Sequence, residues 1–157
     1  MRTFLFCCSI LLASVAMGQN PAQQKSLTNL LFAYYEIKDA MIGGNSKECI
    51  ALTRDFVESV AAVDTKLAGK SRLDLLKADA EKIGKSNLIN DQRTAFAKLS
   101  DDMYLLAKSV KLIEVPIYRQ YCPMKKTYWL SADATIRNPY FGSSMLSCGK
   151  VVETINP

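Results

Sequence analysis

FAKLSDDMYLLAKSVKLIEVPIYRQYCPM, residues 96–124, contains the end of one structural regime and the start of another. Phe96, Leu99, Met103, Leu106, Val110 and Ile113 recur at strict three- and four-residue steps, the spacing that gathers apolar side chains on one face of an α-helix. Pro116 then stops the helix, because its ring removes an amide donor and clashes with the preceding turn. From Ile117 to Met124 the residues become β-branched and aromatic, which favours extended backbone.

Upstream, the same period recurs. Leu27, Leu30, Leu31, Tyr34, Ile37 and Met41 form one stripe, ended by Gly43-Gly44. Asn45 and Glu48 are spaced as a capping box, and Cys49, Ile50, Phe56, Val57, Val60, Val63 and Leu67 carry a second helix to Gly69. A shorter stripe of Leu73, Leu76, Ala80 and Ile83 stops at Gly84, and Asn90 is placed to cap the helix that contains Phe96. Short links favour antiparallel neighbours, so the predicted fold is all-α, an antiparallel up-and-down bundle of about four helices. A short C-terminal extended or hairpin tail packs on it: Tyr128 to Leu130 pairs with the segment after Pro116, and Asn138-Pro139 begins a turn. Tyr118, Tyr121, Tyr128, Trp129, Tyr140 and Phe141 are expected to pack the tail onto the bundle.

The N-terminus reads as a secretory signal peptide. Met1-Arg2 is the positive start, Phe4 to Ala13 the apolar run, and Ala16-Met17-Gly18 the small-x-small site, so cleavage is expected after Gly18. Removing 18 of 157 residues leaves 139, a single helical domain over 19–157 with a sulfur-rich motif at 117–150. Periplasmic or secreted localisation follows, Cys7 and Cys8 leave with the peptide, and no later segment has the roughly 18 apolar residues of a membrane span. The net charge of +5 comes from scattered charges of both signs, which argues against a nucleic-acid surface. Nothing in the sequence sets an oligomeric state.

Three cysteines remain, and two belong to short sulfur clusters: Cys122-Pro123-Met124 and Met145-Leu146-Ser147-Cys148. In extended backbone Cys122 and Met124 face the same way, with Pro123 restricting the bond between them. Ser143 or Ser144 is placed to cap a helical turn that Gly149 closes, on which Met145 and Cys148 share a face. Joined by a hairpin, Cys122, Met124, Met145 and Cys148 would offer Cu(I) two thiolates and up to two thioethers, and a face of Trp129 offers a further cation–π contact. Two cysteines 26 residues apart in an exported domain also suit a plain disulfide, stabilising by roughly 3 to 4 kcal/mol. Met124 and Met145 also suit adaptable core filling, and Cys49, on an apolar stripe, reads first as a buried free thiol, with a bridge or a third thiolate as its alternatives.

Gln120-Tyr121-Cys122-Pro123-Met124, Tyr128-Trp129-Leu130-Ser131, Ile136-Arg137-Asn138-Pro139-Tyr140-Phe141-Gly142, and Met145-Leu146 with Cys148-Gly149 occur in that order. Together they resemble a bacterial periplasmic domain of unknown function, found alone or fused to membrane-fusion (adaptor) subunits of heavy-metal efflux pumps. Over the bundle only Tyr35 to Ala40 looks similar. The resemblance implies a helical domain that handles copper or a related soft metal, with an efflux adaptor as partner. It also implies that Cys122, Met124, Met145 and Cys148 are the positions matching the sulfur motifs. Relatives carry histidine where Tyr121 stands, and this chain has no histidine, so any site here is sulfur-only.

The expected function is therefore a periplasmic Cu(I)-binding or delivery protein linked to metal efflux. The alternative is a non-catalytic interaction or structural module whose tail is pinned by a Cys122–Cys148 disulfide. An enzyme is not expected: the chain has no histidine, nucleophile elbow, phosphate loop or isolated carboxylate pair, and its C-x-M is not the C-x-x-C of thiol oxidoreductases.

Overall fold

Asn20 accepts a hydrogen bond from Ala22 N at 3.0 Å and opens the first helix of the computed structural model, which describes residues 20–157. The expected signal peptide, with Cys7 and Cys8, lies outside the described residues. Helix α1 (Pro21–Gly43) ends at Gly44, whose positive φ of 71° turns its N–H back onto the carbonyls of Ala40 and Met41. Asn45 Oδ1 accepts from Glu48 N at 3.2 Å and starts α2 (Ser46–Ala61). After a break, Asp64 caps the four-residue α3 (Thr65–Ala68), and α4 (Lys70–Gly84) and α5 (Ile89–Ser109) follow.

Most of the predicted stripe residues form the core, although α5 ends at Ser109, so Val110 and Ile113 lie beyond the helix and are only partly buried, and Pro116 does not end it. Leu27, Leu30, Leu31, Tyr34 and Ile37 from α1, Phe56 from α2, Leu76 and Ile83 from α4, and Phe96, Leu99 and Met103 from α5 are all fully buried. Each such side chain contributes about 1.5 to 3 kcal/mol by leaving water. Helix α2 does not run to Gly69 as expected. It stops at Ala61, and Val63 and Leu67 continue the apolar pattern across a turn and through α3. Nor does Asn90 cap α5, which begins one residue earlier behind Leu88, with Ser86 Oγ accepting from Leu88 N.

The all-α expectation is overturned. Among the described residues, five helices are joined by a three-stranded antiparallel sheet, so the fold is a mixed helix-plus-sheet layout. Strands β1 (Ile117–Cys122) and β2 (Thr127–Ser131) form the expected hairpin, in register Cys122↔Thr127 to Tyr118↔Ser131. The unexpected strand is β3 (Lys150–Ile155), which returns to the free side of β1 and gives the order β2-β1-β3. Backbone amides of β1 would otherwise lack partners on that side, and β3 supplies them.

Aromatic side chains seat the sheet on α5, as expected of the tail. Tyr34 stacks on Phe96 at 5.3 Å, Phe96 meets Tyr140 at 6.0 Å, and Tyr140 meets Trp129 edge-on at 6.0 Å. The buried Tyr34 hydroxyl shares a hydrogen bond with Ser100 Oγ at 2.8 Å and accepts one from Leu130 N at 3.0 Å, tying α1, α5 and β2 at one point. Arg119 lies between the rings of Tyr104 and Tyr128, at 3.6 and 4.1 Å, and clasps β1 to α5.

Candidate functional site

Cys122 is the last residue of β1, completely buried, and Cys148 lies two residues before the start of β3. Because Tyr121 pairs with Lys150, the segment Cys148-Gly149 runs alongside the end of β1 and sets the two thiols side by side. Burial pushes the Cys148 thiol up, and the neighbouring Cys122 adds to that by charge and by hydrogen bonding. Both are free thiols, as is Cys49.

Three contacts fix Cys148. Asn138 Nδ2 donates to its carbonyl at 2.6 Å, and its own N–H donates to Met145 O at 3.1 Å. Behind it Gly149 is pressed against Trp129 and the backbone of β1. Asn138 is itself fully buried, accepting from Tyr140 N at 2.8 Å and donating its backbone N–H to Leu146 O at 2.8 Å. It is the keystone of the tail. The expected turn is present as a single 3₁₀ turn over Gly142–Met145, without a serine cap, and Cys148 lies beyond it.

Of the four predicted sulfur residues, the structure brings the two thiols together and leaves the thioethers at the surface. Met124 lies in the β1–β2 turn, 65% exposed, and Met145 in the 3₁₀ turn, 37% exposed. Trp129 is buried against Tyr140 and Gly149. Among the described residues no group of three or more His, Cys, Asp and Glu side chains converges, so those residue types supply two thiolates at most. Cys49 is buried in the bundle, as expected. Its thiol is pushed up to about 11 by burial and then by Glu48.

One feature escaped the sequence reading, which found no isolated carboxylate pair. Asp79 on α4 and Asp102 on α5 are both buried and interact with each other, each also holding a surface lysine: Lys82 at 2.6 Å and Lys98 at 2.8 Å. The residues are 23 apart in the chain, and only the α4–α5 register joins them. Burial first, and Asp102 after it, raise the Asp79 carboxyl above the usual carboxylate range, and its Oδ2 has no hydrogen-bond partner. A carboxyl raised on folding stabilises the fold fully below its unfolded pKa, and that contribution is lost as pH rises through the folded value. Asp79→Asn keeps the shape and offers an amide donor to Asp102. We expect it to raise stability near neutral pH by about 1 kcal/mol and to flatten the fall in melting temperature between acid and neutral pH, as read by thermal scans across that range.

Residues 30–114 match a family described as a protein of unknown function, DUF3347. The match spans the chain from Leu30 in α1 to Glu114 beyond α5, more than half of the sequence, and stops short of the sheet and both sulfur clusters. Its weight therefore falls on the bundle rather than on the tail motifs. None of the curated proteins and none of the solved structures compared with the chain matches it.

Proposed function

We propose for this chain, which belongs to DUF3347, a family of proteins of unknown function, that it is an exported soft-metal protein binding or delivering Cu(I) through Cys122 and Cys148. The observation that carries the reading is the adjacency of those two thiols at the open end of the β1–β3 pair. Two thiolates are the donor set a soft monovalent ion takes in preference to Mg²⁺ or Ca²⁺. Met124 and Met145, on flanking turns and exposed, complete the set by moving onto the ion, which reaches the buried Cys122 from the half-buried Cys148 side. An efflux adaptor is the partner that would receive the ion by ligand exchange.

Each thiol must lose its proton to bind, and Cys148 holds its proton more tightly than a free thiol, so apparent affinity rises with pH. Cu(I) titration of the reduced protein against a competing chelator is expected to give one equivalent. Cys122→Ser together with Cys148→Ser is expected to abolish it, and unchanged uptake in that double variant would defeat the assignment.

The same adjacency favours one other reading, closure of the pair as a disulfide that pins the tail to β1. A thiol count on protein purified from its own compartment separates the two. Three titratable thiols support the ion, and one, the buried Cys49, supports the cross-link.

A further inference from the structure

On the α5 side of the sheet, a cavity of about 180 Å³ lies between the first turns of α5, the β1–β2 hairpin and Tyr140, and its lining residue Thr127 pairs with Cys122 across the hairpin. Its charged lining is Arg93 and Lys125, with no carboxylate among the lining residues, and neither cation makes an ion pair among the described residues. Two of its polar groups are already committed: Thr94 Oγ1 donates to Asn90 O at 2.9 Å, and the Tyr140 hydroxyl donates to Tyr128 O. Others are not. Arg93 anchors one nitrogen, Nη2, on Met41 O at 2.8 Å, while its Nε is buried without a partner. Thr127 Oγ1 is likewise buried, facing the Tyr140 hydroxyl without a well-formed hydrogen bond among the described residues. Lys125, a lining residue, lies over the ring of Phe141, which follows Tyr140 in the chain, at 5.5 Å.

Unpaired buried donors are rare because each costs about 1 to 3 kcal/mol, and a guanidinium held at one end presents its remaining N–H groups in a fixed fork suited to oxyanions. We infer that this cavity is a small-oxyanion site, in which Arg93 and Lys125 hold a phosphate- or carboxylate-class ligand and the Thr127 hydroxyl supplies a third contact. The volume admits an inorganic anion or a short carboxylate with some of its water, and is too small for a nucleotide. A ligand here bridges α5 to the turn end of the hairpin, where Thr127 pairs with Cys122, so occupancy stiffens the sheet against the bundle. The site stands apart from the thiol reading and does not depend on it.

Inorganic phosphate, and separately acetate, titrated into the reduced protein at low ionic strength and followed by amide chemical shifts, should show saturable binding at one site. The shifts should be centred on Arg93, Lys125 and Thr127, with chloride at equal ionic strength producing none. Stronger binding by phosphate assigns the phosphate class, and stronger binding by acetate the carboxylate class. Lys125→Gln is expected to weaken binding about fivefold to tenfold and Arg93→Gln to abolish it. Should Arg93→Gln fail to fold because Met41 O loses its donor, Thr127→Val, expected to weaken binding severalfold, carries the test with Lys125→Gln. Failure of both anions to outbind chloride, or equal binding by the parent and Lys125→Gln, overturns the site.

Discussion

Replacing Asn138 by alanine lowers the melting temperature by roughly 10 °C and releases Cys148 from its place beside Cys122. Asn138 is fully buried, and its side chain makes two bonds that no neighbour can replace, donating to Cys148 O at 2.6 Å and accepting from Tyr140 N at 2.8 Å. Truncation leaves that carbonyl and that amide unpaired. At about 1 to 3 kcal/mol for each orphaned group, the loss comes to about 3 kcal/mol, a large share of the 5 to 15 kcal/mol that keeps a domain folded. The damage should be local first, because the bundle core does not pass through Asn138. Cys148 is expected to react with a thiol reagent much faster in Asn138→Ala, while far-ultraviolet dichroism of the helices is retained at low temperature. Asn138→Asp isolates the donor: a carboxylate still accepts from Tyr140 N but repels Cys148 O, so this variant should recover stability in acid, where the protonated oxygen donates again. Equal melting of Asn138→Ala and the parent would show that the tail is held by its aromatic contacts alone.

That keystone explains why the site was only half legible in the sequence. The helical stripes are visible because each is a repeated local signal, and Leu27, Phe56, Leu76 and Phe96 are buried where the period puts them. The break after Ala61 is hidden by the same logic, since Val60, Val63 and Leu67 keep helical spacing across it. The last strand carries no such signal. Lys150, Val151 and Val152 are exposed on a sheet edge, and an irregularity between Arg119 and Gln120 breaks the alternation that marks a half-buried strand. Without β3 the fold reads as all-α, and Cys148 has no stated neighbour. Cys122 and Cys148 were therefore identifiable as candidates by residue type, whereas their adjacency is a property of the β1–β3 register. Asn138 reads locally as a turn former, and its bonds to Cys148 and Tyr140 appear only once the tail has folded back. Arg93, Lys125 and Thr127 come from separate elements and have no spacing for a motif to capture.

Gly149→Ala should be the second most damaging change, and its effect reaches the thiols by geometry. Gly149 has φ +155°, and a Cβ there would lie 2.9 Å from Trp129 Cη2 and 2.9 Å from Tyr121 O. The indole is buried against Tyr140, and Tyr121 O belongs to a paired strand, so neither can withdraw easily. Backbone strain of about 1 to 3 kcal/mol and a comparable overpacking cost give a loss of about 2 to 4 kcal/mol. Relief comes by lifting the segment ahead of β3 away from β1, which moves Cys148 off Cys122. Mild oxidation of the parent should close the pair and leave one titratable thiol, whereas Gly149→Ala should keep three for much longer under the same oxidant. The control is Gly43→Ala in the last turn of α1, where a Cβ meets nothing within 4 Å, and there the change should be neutral or stabilising by up to about 1 kcal/mol. If Gly149→Ala oxidises at the parent's rate despite melting lower, the thiols are held together by Asn138 without help from the glycine.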